Sequence, residues 1–174
     1  MTWKSFHRRG EVLREVIAVA DARRDGRLPL DVAGVRETFT DELDLLGALQ
    51  LRWHTRLAGR IERELMVQPM DLEAAVVAAW HGAADEIPGI RAILDHYSAA
   101  PTSEEVARAI ATANAKEHGM LAVMSGKAAI DDALAARVGA QIAERAHATY
   151  AGPAAPQPTE PLSLVDRLRA VIAA

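Results

Sequence analysis

Apolar residues recur at helical spacing along most of residues 3–150, and only short stretches with proline or glycine interrupt the pattern. An α-helix turns by about 100° per residue, so positions i, i+3, i+4 and i+7 share one face. The clearest example predicts a long helix at residues 35–67, ending before Pro69. Its apolar stripe comprises Phe39, Leu43, Leu46, Gln50, Trp53, His54, Leu57, Ile61 and Leu65. A pattern of this length and period indicates an all-α fold.

Five further helices are predicted in the same domain. With the long helix counted as the second in chain order, the first covers residues 3–24, the third 71–84 and the fourth 89–97. The fifth ends near residue 124, and the sixth covers residues 128–150. Asp71 can cap one of these helices, and Thr102 or Ser103 can cap another, because their side chains accept hydrogen bonds from free backbone N–H groups. Gly126 is predicted to lie in a turn. The sequence therefore predicts an up-and-down bundle of about four main helices plus shorter helices, in a domain of residues 1–150.

Composition agrees with this fold and narrows the function. The chain has 174 residues, enough for a sizeable core, and half of them are apolar while only 4% are aromatic. A net charge of −4 gives no electrostatic reason to expect nucleic acid or an anionic membrane. The absence of cysteine excludes disulfides and thiolate chemistry, and no signal peptide or membrane span is recognisable. We expect a cytoplasmic protein with no membrane partner.

Two charged side chains are predicted to project from apolar faces. The face of the fifth helix comprises Val106, Ile110, Ala113, Glu117, Leu121 and Met124, and that of the sixth comprises Ile130, Leu134, Val138, Gln141, Ile142 and Arg145. Since an isolated buried charge is costly, we expect Glu117 and Arg145 to pair, with Gln50 or His54 in the network. These four residues are the candidate ligand-binding residues, although a structural ion pair or a polar patch at a subunit interface remains an alternative.

No complete catalytic or metal-binding signature is present. A ferritin-like di-metal bundle needs two Glu-x-x-His motifs, and the sequence contains one, at Glu144 and His147. Glu117 and His118 are adjacent, so they lie about 100° apart on the helix, which is unsuited to joint ligation. We therefore predict no metal, no cofactor and no catalytic residue. A metal-binding or small-ligand-binding bundle stays open as the first alternative.

The fifth helix also has a weak similarity to a helix-turn-helix. Ala107 stands at the usual small position, but Ala111 replaces the glycine that is usual at the turn. The apolar stripe continues through this point and the segment is not basic, which favours one continuous helix. A DNA-binding regulator is kept as the second alternative, and a nucleic-acid partner is not favoured.

The composition changes after residue 150. Residues 151–161 contain four prolines, which favour an extended linker. In residues 162–174, Ser163 can cap an amphipathic helix. Its apolar stripe comprises Leu164, Val165, Leu168, Val171 and Ile172. Because short isolated helices are marginal in water, this stripe must be buried on the bundle itself, on a second copy or on another protein.

Residues 151–174 resemble the targeting peptides that carry cargo into bacterial protein compartments, which implies a shell or scaffold partner. The sequence is most consistent with a non-enzymatic helical interaction module, an adaptor, cargo or assembly factor. We expect it to act through its bundle surface and its tail, and to bind a protein partner or self-associate as a homo-oligomer.

Overall fold

A computed structural model describes residues 3–67, 69–129 and 132–152, with side chains from residue 7 onward. Within these ranges the chain is all-helical and no strand occurs, which confirms the predicted fold class. The described helices are α1 (Trp3–Arg23), α2 (Val35–Thr38), α3 (Glu42–Met66), α4 (Leu72–Glu86), α5 (Pro88–Ala99), α6 (Glu104–Met124) and α7 (Ala135–Thr149). None of them is long and apolar enough to cross a lipid bilayer.

The helices form a bundle in which α3 packs on α4, α6 on α7, and α1 on α5, while α4 also packs on α7. The core lies where α3, α4, α5 and α6 meet. Its largest fully buried side chains include Trp53, Trp80, Leu45, Leu49, Leu57, Ile61, Ile90, Ile93 and Leu121. Two tryptophans therefore lie at the centre of a core built mainly from aliphatic residues, and their indole N–H groups need buried acceptors.

The predicted helix at residues 35–67 is two helices in the structure. The chain leaves the helical conformation at Phe39, whose φ and ψ are −110° and 132°, and α3 restarts at Glu42. Asp41 is extended, and its carboxylate accepts a hydrogen bond from the backbone N–H of Asp44. This N-cap stabilises a new helix start, so local capping outweighs the apolar periodicity that continues through the break.

The last helix of the bundle is shorter than predicted. Residues 128–129 and 132–134 are not helical, and α7 begins at Ala135, after the carboxylate of Asp132 accepts a hydrogen bond from the N–H of Leu134. Gly126 lies in a turn, as predicted, with φ of 70°. An aspartate that bonds the backbone two residues on favours a turn over a helix, which explains the late start.

Two predicted helix starts and the predicted interruption between residues 84 and 89 are confirmed. The side chains of Asp71 and Ser103 accept hydrogen bonds from Ala74 N and Val106 N, so the second cap is Ser103 and not Thr102. Pro88 separates α4 from α5. Residues 153–161 of the linker and the amphipathic segment, including Leu164, Val165, Leu168, Val171 and Ile172, lie outside the described residues, and their predicted structure stays a prediction.

Candidate functional site

Glu117 lies at the centre of the bundle, where α6 faces α3 and α4. It is 5% exposed. The indole N–H of Trp53 donates to Glu117 Oε2 over 2.8 Å, and the indole N–H of Trp80 donates to Oε1 over 3.3 Å. Trp53 comes from α3 and Trp80 from α4, and their rings meet edge to face with centroids 5.5 Å apart. The carboxylate therefore satisfies the buried N–H groups of two other helices.

Arg91 supplies the opposite charge. This residue of α5 is 8% exposed, and its guanidinium carbon lies 4.6 Å from the ring centroid of Trp53 and 5.6 Å from that of Trp80. Its other partner is Asp95, one turn further along α5, at 2.8 Å. A cation over two indole rings is stabilised by their negative faces, and it lies close enough to influence Glu117. Glu117, Trp53, Trp80, Arg91 and His54 are called the Glu117 cluster below.

The environment keeps Glu117 ionised. Burial by itself would raise the pKa of this carboxyl. The imidazole of His54, whose Nε2 lies 3.5 Å from Glu117 Oε2, acts in the other direction, as do the charge of Arg91 and the hydrogen bond from the Trp53 indole. Together they hold the pKa of Glu117 below its ordinary value. The cluster thus contains a buried carboxylate that accepts two indole N–H groups and lies near the guanidinium of Arg91.

Two more histidines border the cluster. The ring of His147 lies 4.5 Å from that of Trp80, and its Nε2 is 3.9 Å from Asp95. Burial lowers the pKa of His147, although the charge of Asp95 partly opposes this. Burial also lowers the pKa of His118, which follows Glu117 on α6. Both imidazoles are therefore predominantly neutral at pH 7.

Arg145 is not part of this cluster, and the predicted ion pair with Glu117 is wrong. The guanidinium of Arg145 pairs with the carboxylate of Glu73 on α4, which Lys127 also approaches at 3.3 Å. The Arg145 side chain is 59% exposed. Glu73, Lys127 and Arg145 line a surface cavity of about 460 Å³ between α4 and α7. Arg145 is thus a surface residue whose charge is compensated by another helix.

The error comes from the rotation of α7 about its axis. Its buried residues are Ala135, Gly139, Ile142, Ala143 and Ala146, so the packed face lies about one position away from the predicted one. A Cβ on Gly139 would lie 1.7 Å from the carbonyl oxygen of His118. Small residues let α7 approach α6 closely, whereas the larger apolar side chain of Leu134 is half exposed. A face built from glycine and alanine leaves no clear signal in the periodicity of large apolar side chains.

Gln50 lies one helical turn before His54 on α3, and both residues face α6. They line a cavity of about 210 Å³ between α3 and α6, together with Leu43, Leu46, Gly47, Leu51, Ala109, Ile110, Ala113 and Lys116. His54 thus connects this cavity with Glu117, which lies behind it. Of the four predicted site residues, the structure brings Gln50, His54 and Glu117 together and separates Arg145 from them.

A second cavity adjoins the first along α3. This neighbouring cavity, of about 470 Å³, lies between α1 and α3 and shares Gly47 and Leu51 with the first. Leu51 is 68% exposed although its surroundings are mostly apolar. The Leu51 groove is defined here as the surface formed by both cavities, lined by Gly10, Leu13, Leu43, Leu46, Gly47, Ala48, Gln50, Leu51, His54, Ala109, Ile110 and Ala113, with Arg9, Asp44 and Lys116 at its rim.

Several residues of the site were not identified from the sequence. Trp80 and Arg91 had no assigned role, and Leu51 fell outside the predicted apolar stripe. A buried tryptophan requires an acceptor for its N–H, and a glutamate in an apolar stripe requires donors. Pairing these two requirements would have suggested tryptophan as a partner of Glu117. No sequence signal indicated Arg91, which reaches the cluster from a separate short helix.

Each oxygen of Glu117 accepts one indole N–H. In the part of the chain that the structure describes, no three His, Cys, Asp or Glu side chains are grouped so that they could hold a metal ion. The helix-turn-helix alternative is also unsupported, because α6 continues without a break from Glu104 to Met124.

Comparison with known proteins adds no family to this description. The chain matches no protein-family model, and neither the curated proteins nor the solved structures contain a significant match.

Proposed function

We propose that this chain is a non-enzymatic helical interaction module that binds an amphipathic helix of a partner protein in the Leu51 groove. The observation that carries the proposal is that the apolar side chain of Leu51 is 68% exposed at the centre of a mostly apolar surface. Burying a leucine side chain stabilises a complex by about 1.5–3 kcal/mol. An adaptor, a cargo or an assembly factor would use such a surface.

The floor of the groove suits a helix. Gly47 lies between the two cavities, and a Cβ at this position would have no heavy atom within 4 Å. Together with Ala48 and Gly10 it leaves room for another backbone to approach α3. Grooves that bind amphipathic helices combine an apolar floor with side chains of neighbouring helices as walls. Here α1 and α6 form the walls.

The rim of the groove is polar. Arg9 and Asp44 form an ion pair of 2.6 Å at the α1 side, and the exposed Lys116 lies at the α6 side. Interfaces commonly surround an apolar centre with charged side chains that determine orientation. The Glu117 cluster lies behind this surface and holds α3, α4, α5 and α6 in place. In this proposal the cluster is a structural support for the groove.

The test is a Leu51→Glu variant, isolated from the native host beside the wild type and analysed by light scattering and mass spectrometry. Met70→Glu is the matched control, because Met70 is fully exposed but lies outside the groove. We expect light scattering to give wild type and Met70→Glu a mass above the 18.7 kDa of one chain, because a partner is bound. Leu51→Glu should lose that additional mass. A multiple of the chain mass would identify the partner as a second copy. Equal masses for all three proteins would contradict the proposal.

A second candidate function is binding of a small ligand in the cavity beside His54. The supporting observation is that Gln50, His54 and Lys116 border one small apolar cavity, as polar groups commonly do in ligand sites. Native mass spectrometry would detect a retained small molecule that Gln50→Leu removes. Gln141→Leu, an exposed glutamine of α7, is the control and should retain it.

A further inference from the structure

We propose that residues 162–174 of the same chain occupy the Leu51 groove and that a partner helix must displace them. This inference rests on the proposed function of the groove as a helix-binding surface. The groove is an apolar surface without a described partner, and the sequence stripe of residues 162–174 is an apolar helix face without one. If the segment docked in the groove, both apolar surfaces would be removed from water.

The dimensions of the two surfaces agree. The groove follows α3 from Leu43 to His54, eleven helical steps, or roughly 17 Å at 1.5 Å per residue. A helix of residues 162–174 would be about 20 Å long. Its apolar side chains, Leu164, Val165, Leu168, Val171 and Ile172, lie within an arc of about 120°. A helix in this groove would therefore contact α3 along most of its length and bury Leu51.

The linker is long enough to reach the groove. The described chain ends at Gly152, shortly after the hydroxyl of Tyr150 donates to Asp85 on α4 over 2.9 Å. Eleven residues separate Gly152 from Leu164, and the twelve steps between these two residues correspond to about 37 Å of extended, proline-rich chain. A domain of this size has a radius of gyration of about 15 Å. The segment can thus pass over the surface from the end of α7 to the far side of α6.

A tethered segment has an advantage over a free one. When a short linker spans the distance, the effective concentration of the attached segment is in the millimolar range. At micromolar protein concentrations the segment of the same copy therefore occupies the groove before that of a second copy. A partner helix must bind more tightly than this internal competitor, and its binding would release the segment. Groove and segment would be either paired with each other or both available.

The experiment measures the distance from the segment to α3 in the full chain. Because the sequence has no cysteine, two introduced cysteines can be spin-labelled without interference. We choose Thr55→Cys, an exposed site at the end of the groove, and Ala170→Cys, which lies opposite the apolar stripe. The axes of packed helices lie 8–10 Å apart, and the label on Ala170→Cys would be on the outer side of a docked segment. We therefore expect a narrow distance distribution centred at roughly 20 Å. A broad distribution at longer distance overturns the inference.

Four further samples test whether a narrow distribution reports docking in the groove. Leu168→Asp in the segment and Leu51→Glu in the groove should each broaden the distribution, whereas Met70→Glu should leave it narrow. Dilution with a tenfold excess of unlabelled chain should not change the distance, and loss of the short distance would assign it to a second copy and refute docking within one chain. If the distribution is broad although Leu51→Glu still loses its partner, this inference fails and the proposed function stands.

Discussion

At the scale of single residues, Glu117 links α6 to three other helices of the bundle. It accepts from indoles of α3 and α4 and lies in the field of Arg91 on α5. The position was predictable, since a glutamate in the middle of an apolar stripe has to be buried with partners. The type of partner could have been predicted, but not which tryptophans meet Glu117, because Trp53 is 64 residues away in the sequence and Trp80 is 37 residues away.

Glu117→Ala is expected to destabilise the protein by about 3–5 kcal/mol, because it leaves two buried indole N–H groups without an acceptor and removes a negative charge near Arg91. Equilibrium unfolding in urea measures this change in free energy. Glu62→Ala, an exposed glutamate of α3, should change it by less than about 0.5 kcal/mol. If both variants unfold at the same urea concentration as the wild type, the cluster does not hold the helices together.

The pKa shifts predict that acid destabilises the fold in two steps. The pKa values of His147 and His118 are lowered from 6.5, so the unfolded chain binds protons first and stability falls as the pH drops below that value. The pKa of Glu117 is lowered from 4.5, so its contribution is lost as the pH falls further, through the folded value.

Unfolding free energies measured from pH 7 to pH 3 check both steps. His147→Gln should flatten the curve in the upper part of this range, and Glu117→Gln should flatten it in the lower part. A wild-type curve that rises on acidification, or variants that follow the wild type throughout, would contradict the direction of these shifts.

At the scale of elements, the interface of α6 and α7 depends on size and not on hydrophobicity. The α7 residues that face the bundle are mainly alanine and glycine, and the close approach at Gly139 permits no side chain. Periodicity of large apolar residues predicted the existence of the helix. It placed Arg145 on the wrong face because it gave these small residues no weight.

Gly139→Ala is expected to destabilise the protein by several kcal/mol, since its Cβ would overlap the backbone of His118 and force α7 away from α6. Gly119→Ala is the matched control, because it adds the same methyl group to the facing helix where no heavy atom lies within 4 Å. The control should be neutral or stabilising by up to about 1 kcal/mol. Thermal unfolding of both variants measures the difference, and equal melting temperatures would refute the close packing.

At the scale of the whole molecule, the bundle buries one face of each helix but leaves part of α3 uncovered between α1 and α6. Monomeric proteins rarely leave large continuous apolar patches open, and those that occur commonly bind something. Leu51 marks this surface, and the proposed docking of residues 162–174 would cover it.

A dye that fluoresces on apolar surfaces tests the covering of the groove. Leu168→Asp should detach the segment and raise dye fluorescence several-fold above that of the wild type, while Ala170→Asp, on the opposite face of the segment, should not. Adding Leu51→Glu to Leu168→Asp should reduce the signal again. Equal fluorescence of the first two variants would show that the segment does not cover the groove.

By itself the sequence determined the helical class, the positions of most helices, the cap at Asp71, a second cap at Thr102 or Ser103, and the burial of Glu117. These features depend on periodicity and on hydrogen bonds between near neighbours, which are local properties of the chain. The tertiary structure decided which residues meet Glu117, that Arg145 pairs with Glu73, and that Leu51 lies in a groove. Those outcomes depend on the rotation and spacing of helices distant in sequence, which close packing of whole faces determines.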